Sequence, residues 1–496
     1  MATADDSGTD RQIDANPTVI VAVLAFSGVV AALMHTVIIP VIPQLPGLLN
    51  ASAADTAWAI TATLLAAAVS VPMMGRLGDM FGKRRMLLVC FALLVAGSFV
   101  CAVATDVLTL IVGRSLQGLS AGVIPLGISI MRDVLPSKKL PGAVATMSSS
   151  LGVGGALGLP IAALIAEYSS WHVLFWTSGA LGIVAAGLVI LVVPESTIRT
   201  GGTFDFGGAL SLSVTLITLL LVISKGGSWG WTSSTTMVLA MVFVLAFVVW
   251  VWWELRVPGP LVDLRVSTRP QVLFTNMASI VIGFAMFAMS LVFPQVLQLP
   301  AATGYGLEKS MLVAGLAMAP SGIMMMMISP VSARITTARG PKTTLMCGAV
   351  VIAVGYGGGV LFMHSLWQLV LISMIIGVGV GLAYGAMPAL IMGAVPTSET
   401  GAANSFNTLM RSLGTSSASA IAGVILAQMT MSLGSVTVPT ENAFRIVMAS
   451  GAGAALVAFG IAWFIPKFGA ASADLEANGT DPHKSDLDED SLSSAG

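Results

Sequence analysis

Three ionisable side chains stand inside long apolar runs of this chain: His35, Arg114 and Arg411. A charge at mid-membrane costs about 2.5–3.5 kcal/mol on insertion scales, so an Arg in such a run has to face protein or a water cavity. Arg114 has Gln117 one helical turn away on the same face, and Gln117 is expected to line the substrate cavity. Arg411 stands with Asn404 and Asn407 at helical spacing, and Gln295, Gln298 and Tyr384 lie in neighbouring runs. A mostly apolar cavity with a few amides and a phenol suits an amphiphilic ligand; the same groups also suit hydrogen bonding between helices. His35 titrates near neutral pH and fits either a proton carrier or a packed, hydrogen-bonded histidine. All 23 Asp and Glu fall in tails, loops or span ends. With two buried Arg and no central acid, the expected substrates are neutral or anionic lipophiles rather than dications. Asp55 and Asp205, near span ends, matter only if they tuck inward.

The elements that carry these residues follow from composition. The chain has 496 residues, 56% hydrophobic and 9% charged, with a mean hydropathy of +0.93. A soluble domain carries about 25% charged residues. So much apolar surface cannot be hidden in one core, and the chain reads as an all-α polytopic membrane protein. That excludes a soluble enzyme, a nucleic-acid binder and a secreted disulfide scaffold. Cys90, Cys101 and Cys347 form no CxxC pair and read as small apolar residues. The four His are scattered with no neighbouring ligand set, so no metal and no cofactor is expected, and no Walker loop is present.

A spanning helix needs roughly 20 apolar residues. Fourteen runs qualify: 18–40, 54–75, 85–104, 107–131, 141–166, 172–193, 206–224, 233–253, 272–297, 310–333, 343–363, 366–393, 400–429 and 443–465. Alternate loops, starting with the N-terminus, hold 17 of the Lys and Arg, and the opposite set holds only Lys225, Lys309 and Arg445. The basic side is expected to be cytoplasmic, with both termini on it, in the plasma membrane. Four Asp against one Arg at the start argue for a retained first helix rather than a signal peptide. Tryptophans such as Trp58, Trp171, Trp250 and Trp463 fall at span ends, as aromatic belts require. The tail after about 470 has seven acids and one Lys and is expected to be disordered.

The loop after span 2 reads PMMGRLGDMFGKRRMLL and the loop after span 10 reads PVSARITTARGPKTTLM. Pro72/Pro330, Arg76/Arg334, Gly82/Gly340 and Leu87/Leu345 share one offset. Duplicated halves point to a transporter with its site between them near the midplane. The expected organisation is an N-terminal tail (1–17), a six-helix bundle (18–194), inserted helices 7 and 8 with linkers (195–270), a second six-helix bundle (271–466) and an acidic tail (467–496).

At this point the residues resemble a known family. GRLGDMFGKRR (75–85) is similar to the cytoplasmic signature of the major facilitator superfamily, and RSLQGLSAGVIP (114–125) is similar to its Arg-x-x-Gln-Gly pattern. GGALGLPIAAL (154–164) resembles the antiporter signature of span 5, and TGAANSFNTLMRSLG (400–414) the matching helix of fourteen-spanner drug:proton antiporters. The resemblance implies the major facilitator fold, two six-helix bundles plus two inserted helices. It also implies a cytoplasmic latch built from Gly75, Arg76, Asp79, Gly82, Lys83, Arg84 and Arg85. By the same resemblance Arg114 helps proton coupling, and Gly154, Gly158 and Pro160 form the helix that controls the pivot of the halves. His35, which the resemblance does not supply, is the candidate for carrying the proton on its own chemistry.

Departures are visible too. Leu159 separates Gly158 from Pro160, Met80 follows Asp79 where Arg is common, and Thr337 replaces the acid in the second copy. Span 1 has Met34 and Ile39 where many relatives carry Asp and Asn, while Thr36 and Pro43 remain. The implied function is proton-coupled efflux of lipophilic drugs or natural products by alternating access. An uptake or facilitative permease on the same fold is the alternative. Expected partners are a lipophilic small molecule, protons and membrane lipid, with no nucleic acid and function as a monomer.

Overall fold

The computed structural model describes residues 16–41, 44–196, 198–433 and 436–466. The expected acidic tail, most of the N-terminal tail and Pro43 lie outside the described residues. Among the described residues, fourteen helices are long and apolar enough to cross a membrane. They are α1 Pro17–Thr36, α2 Trp58–Phe81, α3 Lys83–Ala102, α4 Val107–Val134, α5 Leu140–Tyr168, α6 His172–Val192, α7 Phe206–Trp229, α8 Ser234–Glu254, α9 Pro270–Gln298, α10 Met311–Arg339, α11 Pro341–Leu361, α12 Leu366–Met392, α13 Thr400–Gln428 and α14 Glu441–Trp463. A short hairpin, β1 Thr430–Leu433 and β2 Val436–Pro439, joins α13 to α14.

The largest differences from the apolar runs are at two C-terminal ends, where α2 continues past its run through Arg76–Phe81 and α10 continues to Arg339. These last turns carry charges at the membrane edge, where a helix persists although hydropathy has fallen. α4 and α10 are each broken once, at Ser120–Gly122 and at Ile328.

The repeat seen in sequence is repeated in packing. In the first half α1 packs on α5 and α6, α2 on α4, and α3 on α4 and α6. In the second half α9 packs on α13 and α14, α10 on α12, and α11 on α12 and α14. Gly82 and Gly340, the paired glycines, both take positive φ (111° and 85°) between consecutive helices. An L side chain is strained there, which explains glycine in both copies. Each half has its own apolar core, around Leu24, Phe91 and Phe175 in the first and Ile282, Phe293 and Phe444 in the second.

The halves meet along two seams, α2 against α13 and α5 against α10. The inserted pair α7–α8 lies on the first seam, where α7 touches α2 and α13. Leu212, Leu216, Leu261 and Leu409 form a third apolar cluster there. α8 packs chiefly on α7, and its Met237, Met241, Leu245 and Val248 are exposed. Such a face suits lipid.

Candidate functional site

The charged contacts of the first seam are at the ends of the helices that carry the basic loops, called here the basic face. Asp79 is fully buried near the end of α2. Its carboxylate accepts from the backbone N–H of Gly401 at 3.0 Å and of Ala402 at 2.8 Å, in the first turn of α13. Those N–H groups have no partner within their own helix, and the helix dipole favours an anion there. One half thus caps a helix of the other. Glu399, which precedes α13, makes no side-chain cap of its own. The approach is possible because small residues face each other. A methyl on Gly75 would lie 2.5 Å from the Gly401 carbonyl oxygen, and one on Gly401 would lie 2.7 Å from that of Gly75.

Lys83 sits behind this junction, fully buried, 2.7 Å from Asp133 and 3.7 Å from Asp79. Arg132 crosses to the other half, donating to Thr400 Oγ1 at 2.7 Å and to the Val395 carbonyl at 3.1 Å. Arg132, Asp133 and Thr400 were not singled out by sequence, although the Arg-Asp pair ending α4 is the kind of signal that could have done so. The remaining signature residues spread outward. Arg84 donates to Ile190 of α6 at 2.6 Å, Arg85 is exposed, and Arg76 lines a small pocket with Asp263 and Glu399.

On the second seam, α5 is continuous through Pro160. Gly154 and Gly158 press on α1, where a methyl on Gly154 would lie 2.6 Å from Ala32 Cβ. Pro160 faces Gly315 of α10, and Ser149 Oγ stands 2.7 Å from Ser329 Oγ across the halves. A cavity of about 400 Å³ opens beside this seam between α5, α9, α10 and α12. Met286, Met289, Met318 and Met325 give it adaptable apolar walls. Gln295 and Gln298 line it, each amide donating back to its own helix, to Leu291 and Pro294 carbonyls, at 3.0 Å. Thr36 of α1 closes one side.

The other expected cavity residues are placed in two polar clusters. Tyr384, Asn404, Asn407 and Arg411 are buried where α9, α12 and α13 meet. The Arg411 guanidinium lies over the Tyr384 ring at 4.4 Å, and the Tyr384 hydroxyl donates to the sulfur of cavity-lining Met286 at 2.8 Å. Asn407 donates to Asn276 Oδ1 and Ser279 Oγ at 2.8 and 2.7 Å. Asn404 has both amide atoms buried and without a hydrogen-bond partner.

Gln117 belongs to the second cluster, inside the first half, and not to the cavity lining. Arg114, 1% exposed, donates to the Met34 carbonyl at 3.0 Å, to Gln117 Oε1 at 2.7 Å and to the Ala59 carbonyl at 3.4 Å. Gln117 in turn donates to Ser98 at 2.8 Å, so this network ties α1, α2, α3 and α4. The Arg114 hydrogen bonds go to carbonyls and an amide, not to a carboxylate. His35 is partly exposed in the last turn of α1.

Two pseudo-repeated helical halves, a cavity beside their seam and a capped junction on one face define a membrane transporter rather than an enzyme. The Major Facilitator Superfamily profile matches residues 24–419, and this chain belongs to that superfamily. Among its relatives, Multidrug resistance protein Stp of Mycobacterium tuberculosis is 25% identical over 75% of this chain and 68% of its own. Multidrug resistance protein B homolog of the same organism is 29% identical over 61% of this chain and 56% of its own. Multidrug resistance protein 3 of Bacillus subtilis is 25% identical over 72% of this chain and 70% of its own. Against the two mycobacterial MFS-type transporters that match at 26% identity, the chain spans 59% of their length. The crystal structure of the human organic anion transporter MFSD10 shares the fold, with a TM-score of 0.64 and 13% identity over 90% of this chain and 99% of that one.

Proposed function

We propose that this chain is a proton-coupled antiporter that exports neutral or anionic lipophilic compounds by alternating access. The observation that carries the reading is the cavity of about 400 Å³ beside the α5–α10 seam, walled by methionines, abutting Tyr384 and Arg411, with no carboxylate among its lining residues. An apolar pocket with a few polar groups suits an amphiphile, and a nearby guanidinium favours an anion over a dication. Relatives named for multidrug resistance support export. The basic face is cytoplasmic in this reading, with both termini on it.

Asp79, Arg132 and their α13 partners are the latch that holds the cytoplasmic side shut. Loss of those bonds, with rocking about α5 and its Gly154, Gly158 and Pro160, opens the other state. Arg114 fixes the helices around His35, and His35 carries the proton in the place where Met34 stands for an acid. A proton moving down 100 mV releases about 2.3 kcal/mol. That supports roughly a fiftyfold substrate gradient, since 1.4 kcal/mol is tenfold. Cellular accumulation separates export from uptake. Cells producing the chain should hold less of an anionic fluorescent lipophile than cells with an Asp79→Asn variant, and more would establish the permease reading instead.

A further inference from the structure

Two carboxyl groups stand apart from the cavity and the latch. Asp205 caps the start of α7 and Glu254 ends α8, both at the basic face and both buried, 8% and 3% exposed. One oxygen of each is held by an indole. Trp253 Nε1 donates to Asp205 Oδ1 and Trp250 Nε1 to Glu254 Oε1, each at 3.0 Å. Backbone N–H groups add to the same two oxygens, from Gly208 at 2.8 Å and from Val262 at 3.4 Å. The second oxygens, Asp205 Oδ2 and Glu254 Oε2, are buried with no hydrogen-bond partner among the described residues. The carboxyl groups converge on the bare Cα of Gly208: a methyl there would lie within 2.9 Å of both Asp205 Oδ2 and Glu254 Oε1.

No countercharge faces this pair. Among the described residues, neither carboxylate has a Lys, Arg or His nitrogen within 4.0 Å. The charged groups on the elements around it are engaged elsewhere. Arg256 lies over the Trp252 ring at 4.3 Å, and Arg265 donates to the Leu255 carbonyl. Asp263 caps the turn that begins at Leu264, and Arg76 and Glu399 share with it a pocket on the far side of Val262. Arg199, in the segment before α7, makes no ion pair among the described residues. Two buried like charges this close cannot both ionise without cost, and the proton that neutralises one of them also supplies a partner for an orphan oxygen. A metal ion fits less well, since two carboxylates with half their oxygens already taken offer too few ligands.

We propose that Asp205 and Glu254 form a proton-binding carboxyl pair holding one proton between them, a site in the inserted helices separate from the cavity between the halves. The test is infrared difference spectroscopy on the full chain reconstituted in lipid. At pH 7 the parent shows the C=O stretch of one protonated carboxylic acid, shifted in D2O, that is absent from the Asp205→Asn/Glu254→Gln variant. Trp253→Phe removes a donor that favours the ionised form, so the same band persists to higher pH than in the parent. If the double variant fails to fold, the Trp253→Phe titration decides alone. A band missing from the parent, a band equal in parent and double variant, or an unshifted Trp253→Phe titration overturns the proposal.

Discussion

Asp79→Asn removes the carboxylate with which α2 caps α13 across the seam between the halves. The carboxylate accepts two N–H bonds from the first turn of α13, at 3.0 and 2.8 Å, in a fully buried position. Hydrogen bonds to a charged group are worth about 1.5–3 kcal/mol each. An amide keeps one acceptor oxygen, turns an NH2 toward the other N–H, and loses the favourable field of the helix N-terminus. The net weakening is about 2–3 kcal/mol, or roughly 30- to 150-fold in the equilibrium between joined and parted basic faces. Lys83 keeps Asp133 at 2.7 Å, so the first half itself stays intact. Spin labels at Arg85→Cys and Arg339→Cys, exposed residues of the two halves on that face, read the separation directly. Cys90 and Cys101 are buried, so only Cys347 has to be replaced. The parent should show one short distance, and Asp79→Asn a second, longer population. Unchanged distances in both Asp79→Asn and Asp79→Ala, with folded protein, would refute the argument.

Three further outcomes follow from the same geometry. Gly75→Ala forces its methyl onto the Gly401 carbonyl and should lower the thermal midpoint by an amount equivalent to about 1–3 kcal/mol. Gly155→Ala, on the cavity wall with no atom beyond its own helix backbone and chain neighbours within 4 Å of the added carbon, should not lower it. Asn404→Leu removes two unpartnered buried amide atoms and should gain about 1–3 kcal/mol in stability while transport falls, measured by thermal unfolding beside vesicle uptake. Arg411→Leu should cut transport of anionic lipophiles about tenfold relative to neutral ones, a loss of about 1.4 kcal/mol, read by competition with labelled substrate. Equal loss for both classes would show that Arg411 only holds Tyr384 in place.

The membrane architecture was legible because each spanning helix must satisfy its backbone internally and be apolar over its length. Hydropathy therefore finds all fourteen spans, while the charged last turns of α2 and α10 escape it. The signature glycines and Asp79 were legible because their spacing carries a chemical demand, close approach and an anion at a helix end. Their partner was not, since nothing local links Asp79 to residues 322 positions later. Gln117 shows the limit in the other direction. Its place one turn from Arg114 was right, but rotation of α4 turns it toward Ser98 and not toward the cavity. Asp205 is buried against Trp253 of α8 and not at the cavity, and Glu254, at the end of an aromatic run, carries no local sign of the pairing that α7 and α8 create. Of the four methionines at 324–327, only Met325 reaches the cavity, because four in a row circle a helix.

Proton movement in inside-out vesicles tests the central claim most directly. Energised vesicles containing the parent chain should release protons when an anionic or neutral lipophile is added, and not when a dication is added. Arg114→Ala should abolish that release, and His35→Ala should do so if His35 is the proton site. A parent that stays silent while still moving labelled substrate across the membrane would contradict proton-coupled antiport.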